Sequence, residues 1–268
     1  MKLNRKVAAL LSQPWAIRPA SMAVMMESFA YLQIQTPADQ PMTDEEPYDV
    51  EDGIATIRVS GIIGKKVPGW MAEMFGMTDV DTITQLVKLA NVDSEVRGIL
   101  LEVDSPGGTM VGVPECAEAI RASGKMVMAH TDGLMCSAGY YLASGASGIF
   151  ATGSALVGSI GVFIPVTDMR RMYEMAGVEM EIIKAGDLKG AMYPGTSLTD
   201  PQRAHLQQSV NHAYGMFTDF VTARAGSNSI HHDSMRGQDF YGDQAVDAGL
   251  IDGVMDRAAT VDALKKLA

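Results

Sequence analysis

Short apolar runs alternate with helix-period segments along this chain. Ile54-Ala55-Thr56-Ile57-Arg58-Val59 alternates at period two, which predicts a strand that opens the body near Gly53. Over 79–90 the period lengthens, with Val80, Ile83, Val87 and Ala90 on one helical side. Residues 99–103 are a short apolar run interrupted only by Glu102, read as a buried strand that ends at Ser105-Pro106-Gly107-Gly108. The pattern then predicts a helix over 111–122, a strand over 126–129 and a short helix over 137–144. Strand-like pieces at 149–150 and 160–164 follow, then a helix over 168–176 and a strand over 179–183. Thr199-Asp200-Pro201 is a helix start, a cap followed by proline in the first turn. Leu206, Val210, Ala213, Phe217 and Val221 give that helix one apolar stripe, and a last unit runs from Tyr241 to a terminal helix over 261–267. Strand–helix alternation of this kind predicts a parallel-rich α/β layer fold.

Residues 1–50 read as an N-terminal arm and acidic linker, and 51–268 as one body. Met22, Met25 and Met26 of the arm are expected to pack on the body or on a partner. The 268 residues suffice for one large α/β domain plus an appendage, and 47% hydrophobic content supports a packed core. A net charge of −11 leaves no basic surplus for a general nucleic-acid binder. Two cysteines make no disulfide framework, and the apolar stretch at 7–11 is too short for a membrane span. A soluble protein of a reducing cytoplasm is the expectation.

Candidate chemistry lies in two segments. Ser137, in Met135-Cys136-Ser137-Ala138-Gly139, sits where a strand gives way to a helix, with small neighbours around its hydroxyl. Taken alone, it reads equally as a helix N-cap. The pairing with Gly107-Gly108 changes the weight, because glycines after a buried strand present N–H groups to a developing oxyanion; a plain strand-to-helix turn is the other reading. No Gly-x-Ser-x-Gly elbow surrounds Ser137, since Met135 occupies the first glycine position. Cys136 beside it reads as a small buried residue rather than a thiol nucleophile.

A serine needs a base, and no histidine lies between His130 and His205. A lysine acts as base only when neutral, and at a reference pKa near 10.4 about 1 in 2,500 is neutral at pH 7. Lowering that pKa by about three units takes about 4 kcal/mol, which burial can supply. Lys189, between Leu188 and Gly190-Ala191-Met192, is the best candidate; Lys184, at a strand end, is the exposed competitor. His205 and His212 share a face of the long helix and read as surface or core-edge residues. His231-His232 are adjacent and point poorly at one ion, so no metal is expected.

These residues resemble the Ser-Lys peptidases of the signal peptide peptidase A family, most closely its phage and prophage capsid-maturation (protein C-like) members. The resemblance covers residues 53–255. It rests on Asp104-Ser105-Pro106-Gly107-Gly108, Cys136-Ser137-Ala138-Gly139 and Gly158-Ser159-Ile160-Gly161-Val162, with Ala185-Gly186-Asp187-Leu188-Lys189 and the run from Tyr241 to Leu250. It implies Ser137 as nucleophile, Lys189 as general base and Ser159 as the hydroxyl orienting the lysine. Gly108 and Ala138, with Gly107 in the same loop, would form the oxyanion hole. It implies a Clp-protease/crotonase-like ββα superhelix that assembles into homo-oligomers, with sites that protomers can share. Protein or peptide substrates such as capsid, portal or scaffold proteins are implied, with no cofactor, in the host cytoplasm or inside proheads. The membrane anchor, the second domain and the scaffold-like extension of some relatives are not in this sequence, which favours virion assembly over signal-peptide disposal. The competing readings are a general or signal-peptide hydrolase, a Ser-His-Asp triad, an acyl-CoA enzyme on the same oxyanion hole, and an inactive capsid component.

Overall fold

The apolar runs become central strands. The computed structural model describes residues 13–31, 48–69, 71–72, 76–224 and 230–268. In it β3 (Ile54–Gly64) and β5 (Gly98–Thr109) lie side by side in parallel. The sheet continues in parallel through β6 (Met126–Thr131), β8 (Gly148–Ala151) and β11 (Gly253–Val254). At the other edge β2 (Asp49–Glu51) pairs antiparallel, and β4 (Thr78–Asp79) parallel, with β3.

Helices cover both faces. α2 (Val80–Val92) buries Val80, Ile83, Val87 and Ala90, the side that the sequence predicts. It shares the main core with α3 (Val113–Arg121), α4 (Ala138–Ala143) and the second half of α6 (Asp200–Thr222). On the opposite face α8 (Arg257–Leu267) sets Leu264 over Ile54, Leu100, Met128 and Phe150. With both faces covered, β3 is not half exposed as its alternation suggests: Ile54, Ala55, Thr56 and Ile57 are all buried.

β5 outlasts this sheet and turns into a second one. Ser105 pairs with Met135 of β7 (Leu134–Cys136), β9 (Leu156–Gly158) lies parallel beyond β7, and β10 (Asp239–Tyr241) closes the edge antiparallel. A bulge in β3 between Ser60 and Ile62 accommodates the turn, and the Ser105 hydroxyl locks it by donating to the Gly61 carbonyl at 2.6 Å. β1 (Trp15–Ile17) runs antiparallel along Gly107–Thr109.

The described part of the arm is not detached. From α1 (Pro19–Tyr31), Met22 and Met25 pack with Trp15, Ile17, Met71 and Met77, and Met26 lies against the same cluster. Residues 1–12 and 32–47, and Trp70 with 73–75, lie outside the described residues.

From 161 to 201 no residue is buried. The strand expected over 179–183 is absent, the piece at 160–164 keeps a single bridge from Phe163 to Trp15, and the helix over 168–176 shrinks to α5 (Arg170–Met175). A strand needs a hydrogen-bonding neighbour, and the 179–183 run finds none among the described residues. The stripe of α6 is likewise used only in part: Ala213, Phe217 and Val221 are buried, whereas Leu206 and Val210 are half-buried.

Candidate active site

Parallel β7 and β9 end side by side, and this brings two serines together from distant parts of the sequence. Cys136 is in register with Gly158, and the Ser137 N–H donates to the Gly158 carbonyl at 2.7 Å. Ser137 and Ser159 therefore follow neighbouring strand ends, and both hold positive φ, 54° and 53°. A non-glycine residue in that region costs about 1–3 kcal/mol and persists only where its surroundings fix it. Ser137 is fully buried, and its Oγ has no hydrogen-bond partner among the described residues. It occupies the N-cap position of α4, its carbonyl accepting the Tyr141 N–H at 2.8 Å, but its side chain makes no capping bond.

Gly107 lies against Ser137. A methyl group on Gly107 would lie 2.8 Å from Ser137 Cβ and 2.2 Å from the Ala16 carbonyl oxygen, so only glycine allows the approach. Gly107 has φ +107°. Its N–H donates to Ser105 Oγ at 3.1 Å. This bond uses, in holding the turn, the N–H that was expected among the oxyanion donors. Of the other two expected donors, Gly108 is paired with Ala16 in the β1 register, and Ala138 stands at the first helical position of α4, where the helix supplies no acceptor for its N–H.

Two residues outside the expected set build this corner. Asp104 Oδ1 accepts the Leu134 N–H at 3.1 Å, tying β5 to the start of β7, and Ser105 binds both Gly61 and Gly107. Their signal was present in the Asp-Ser-Pro-Gly-Gly run, but only the corner gives each a partner.

Lys189 is not in this corner. It is exposed, in a turn whose N–H donates to the Gly186 carbonyl and whose carbonyl accepts from Gln202 Nε2 at 3.2 Å. The expected burial of its amine is thus not supplied by the described residues. Lys184, also exposed, donates to the Asp187 carbonyl at 3.0 Å.

The histidines and cysteines fall elsewhere. His130 is buried with Nε2 3.2 Å from the Met255 carbonyl, and burial lowers its pKa. His205, His212, His231 and His232 are exposed. Among the described residues no histidine partners Ser137 Oγ, and no group of His, Cys, Asp and Glu could hold a metal. Cys136 is buried against the Leu156 carbonyl, and desolvation pushes its thiol up to about 12, which leaves it inert as a nucleophile.

The profile of peptidase family S49 matches residues 119–268, more than half of the sequence and including Ser137, Ser159 and Lys189. The chain belongs to peptidase family S49. Among S49-like relatives, the head-tail preconnector protein GP5 of Enterobacteria phage P21 is 29% identical, covering 98% of this chain and 57% of that protein. Capsid assembly protease C of Escherichia phage lambda is 32% identical, covering 89% of this chain and 54% of that protein. The chain thus spans a little over half the length of these relatives. A solved enoyl-CoA hydratase/isomerase family member is similar at TM-score 0.44 and 16% identity, over 82% of this chain and 72% of that one. Among the described residues no helix is long and apolar enough to cross a membrane.

Proposed function

We propose that this S49 chain is a Ser-Lys endopeptidase that processes phage or prophage head proteins, with the lysine of each site delivered by a neighbouring copy. One observation carries the reading: a buried serine hydroxyl in a strained turn, without a partner among the described residues, beside a strand where Gly107 leaves room for a backbone to approach. A buried hydroxyl left unpaired costs about 1–3 kcal/mol, so it is kept for a partner that arrives.

In the proposed reaction a neutral Lys189 amine takes the Ser137 proton while Oγ adds to the scissile carbonyl. The oxyanion is held by the N–H groups of Gly108 and Ala138, each such donor being worth about 10²–10³ in rate. The ammonium returns its proton to the leaving amine, the acyl-enzyme forms, and water reverses the sequence. Ser159, on the strand end next to Ser137, orients the amine.

Delivery by a neighbour fits the exposed stretch from 161 to 201, where Met175 is 81% and Ile183 95% exposed. Apolar surface of that kind is what an oligomer covers, and covering it supplies the desolvation that a lysine base requires. The GP5 and lambda C relatives support head proteins as substrates. The test is co-expression with capsid and scaffold precursors of the same phage: Ser137→Ala and Lys189→Ala should each abolish processing without altering circular dichroism. Processing at the normal rate by either variant discards the dyad.

A further inference from the structure

Strand β1 of the chain itself lies against the same face of Gly107 as Ser137, and its backbone is paired as that of a bound peptide would be. β1 is hydrogen-bonded along both edges. On one edge the Arg18 N–H donates to the Pro106 carbonyl at 2.9 Å and the Met110 N–H to the Pro14 carbonyl at 3.1 Å. These pairs flank Ala16↔Gly108 in the antiparallel register, two residues away on each side. Antiparallel pairs alternate between bonded and non-bonded, so Ala16 and Gly108 exchange bonds, and the Gly108 N–H donates to the Ala16 carbonyl. On the other edge Trp15 and Phe163 exchange both backbone bonds, at 2.9 and 3.0 Å.

Side chains alternate accordingly. Trp15 and Ile17 enter the methionine cluster, while Ala16 joins the core that contains Met135 and Ala138, on either side of Ser137. The methyl position on Gly107 that meets Ser137 Cβ also meets the Ala16 carbonyl oxygen and, at 2.9 Å, Ile17 Cα. The docking has a defined latch, Arg18 to Asp239 at 2.7 Å, both partly exposed. Among the described residues it also leaves Trp15 Nε1 buried without a partner, an uncompensated cost of this docking.

We propose that β1 is an internal pseudosubstrate. Trp15-Ala16-Ile17 fills the cleft between Gly107–Thr109 and Phe163, and substrates bind by replacing it as an added antiparallel strand. The substrate class follows from the occupant: an extended segment with a small residue over Ser137, flanked by bulky apolar residues on the opposite side. This rests on Ser137 being the nucleophile, and it makes the isolated chain latent.

Thiol alkylation separates the two ideas. In full-length Ser137→Cys, iodoacetamide should react slowly; Cys116 and Cys136 are buried, and the unaltered chain supplies the blank. Adding Arg18→Ala, which removes the latch, or Ala16→Pro, which removes an edge N–H, should speed alkylation at least about tenfold. A synthetic Pro-Trp-Ala-Ile-Arg peptide should slow it again. Equal rates with and without the arm substitutions overturn the proposal, as does a peptide that gives no protection. Faster alkylation in a chain whose Ser137 form never cleaves a peptide keeps the covering strand and removes the dyad instead.

Discussion

Ser137 and Gly107 make one contact between them, and neither residue explains it alone. The serine is strained because its N–H is taken by Gly158 while α4 begins immediately after it, and Gly107 is the residue that leaves its Cβ room. Gly107→Ala meets positive φ and two backbone atoms of β1 together, so it should cost about 1–3 kcal/mol in urea unfolding and abolish cleavage. Restored cleavage in Gly107→Ala carrying Arg18→Ala would show that Ala16, not Ser137, is the limiting neighbour. His130 gives a second residue-scale test. Burial lowers its folded pKa, opposed by the Met255 carbonyl, so the unfolded chain binds the proton more readily. Its contribution is complete above the unfolded value near 6.5 and is lost as pH falls from there through the folded value. Urea midpoints should therefore drop more steeply between pH 7.5 and 5.5 in the parent than in His130→Gln. Parallel slopes would refute that assignment.

At the scale of elements, the start of α6 is joined to the lysine turn through one side chain. Buried Gln202 donates to the Lys189 carbonyl at 3.2 Å, and its Oε1 accepts the Thr199 N–H at 3.0 Å, completing the capping box. Gln202→Ala removes both and should cost about 1 kcal/mol in stability and about tenfold or more in cleavage. Gln202→Glu keeps the acceptor for Thr199 but has no donor for Lys189. It should recover most of the stability and remain slow; full activity in the Glu variant would mean that the turn needs no tether. On the serine side α4 is pinned by Tyr140 to the Leu250 carbonyl at 2.6 Å and by Tyr141 to the Met216 carbonyl at 3.1 Å, so the helix that follows Ser137 is held by buried tyrosines where the lysine turn is held by Gln202.

At the scale of the whole molecule, the subunit holds the two halves of the proposed dyad in opposite environments, Ser137 inside and Lys189 in solvent. Two inactive proteins should therefore repair each other. Mixed during assembly in equal amounts, Ser137→Ala and Lys189→Ala subunits leave roughly a quarter of shared sites with both groups intact, and about that fraction of activity should return. No recovery from a demonstrated mixed assembly would place the lysine in its own protomer's site. The same assembly should bury the 161–201 stretch, so hydrogen exchange there should slow on oligomerisation while that of β5 and β6 stays constant.

The sequence by itself determined what depends on near neighbours in the chain. The stripe of Val80, Ile83, Val87 and Ala90, the Thr199-Asp200-Pro201 cap and the buried run at 99–103 all act over a few residues, and each took the expected form. The glycine pair and Ser137 were legible as well, because strained turns need particular residue types. Tertiary structure decided whatever required a partner from elsewhere. It set Ser159 beside Ser137 through strand register, gave the Gly107 N–H to Ser105, and laid Trp15-Ala16-Ile17 along Gly107–Thr109. It also left the 179–183 run without a neighbour and Lys189 in solvent. Hydrogen bonds between strands, and the desolvation of a charge, belong to whichever surfaces meet, and that is fixed only when the chain, or a second copy of it, closes over them.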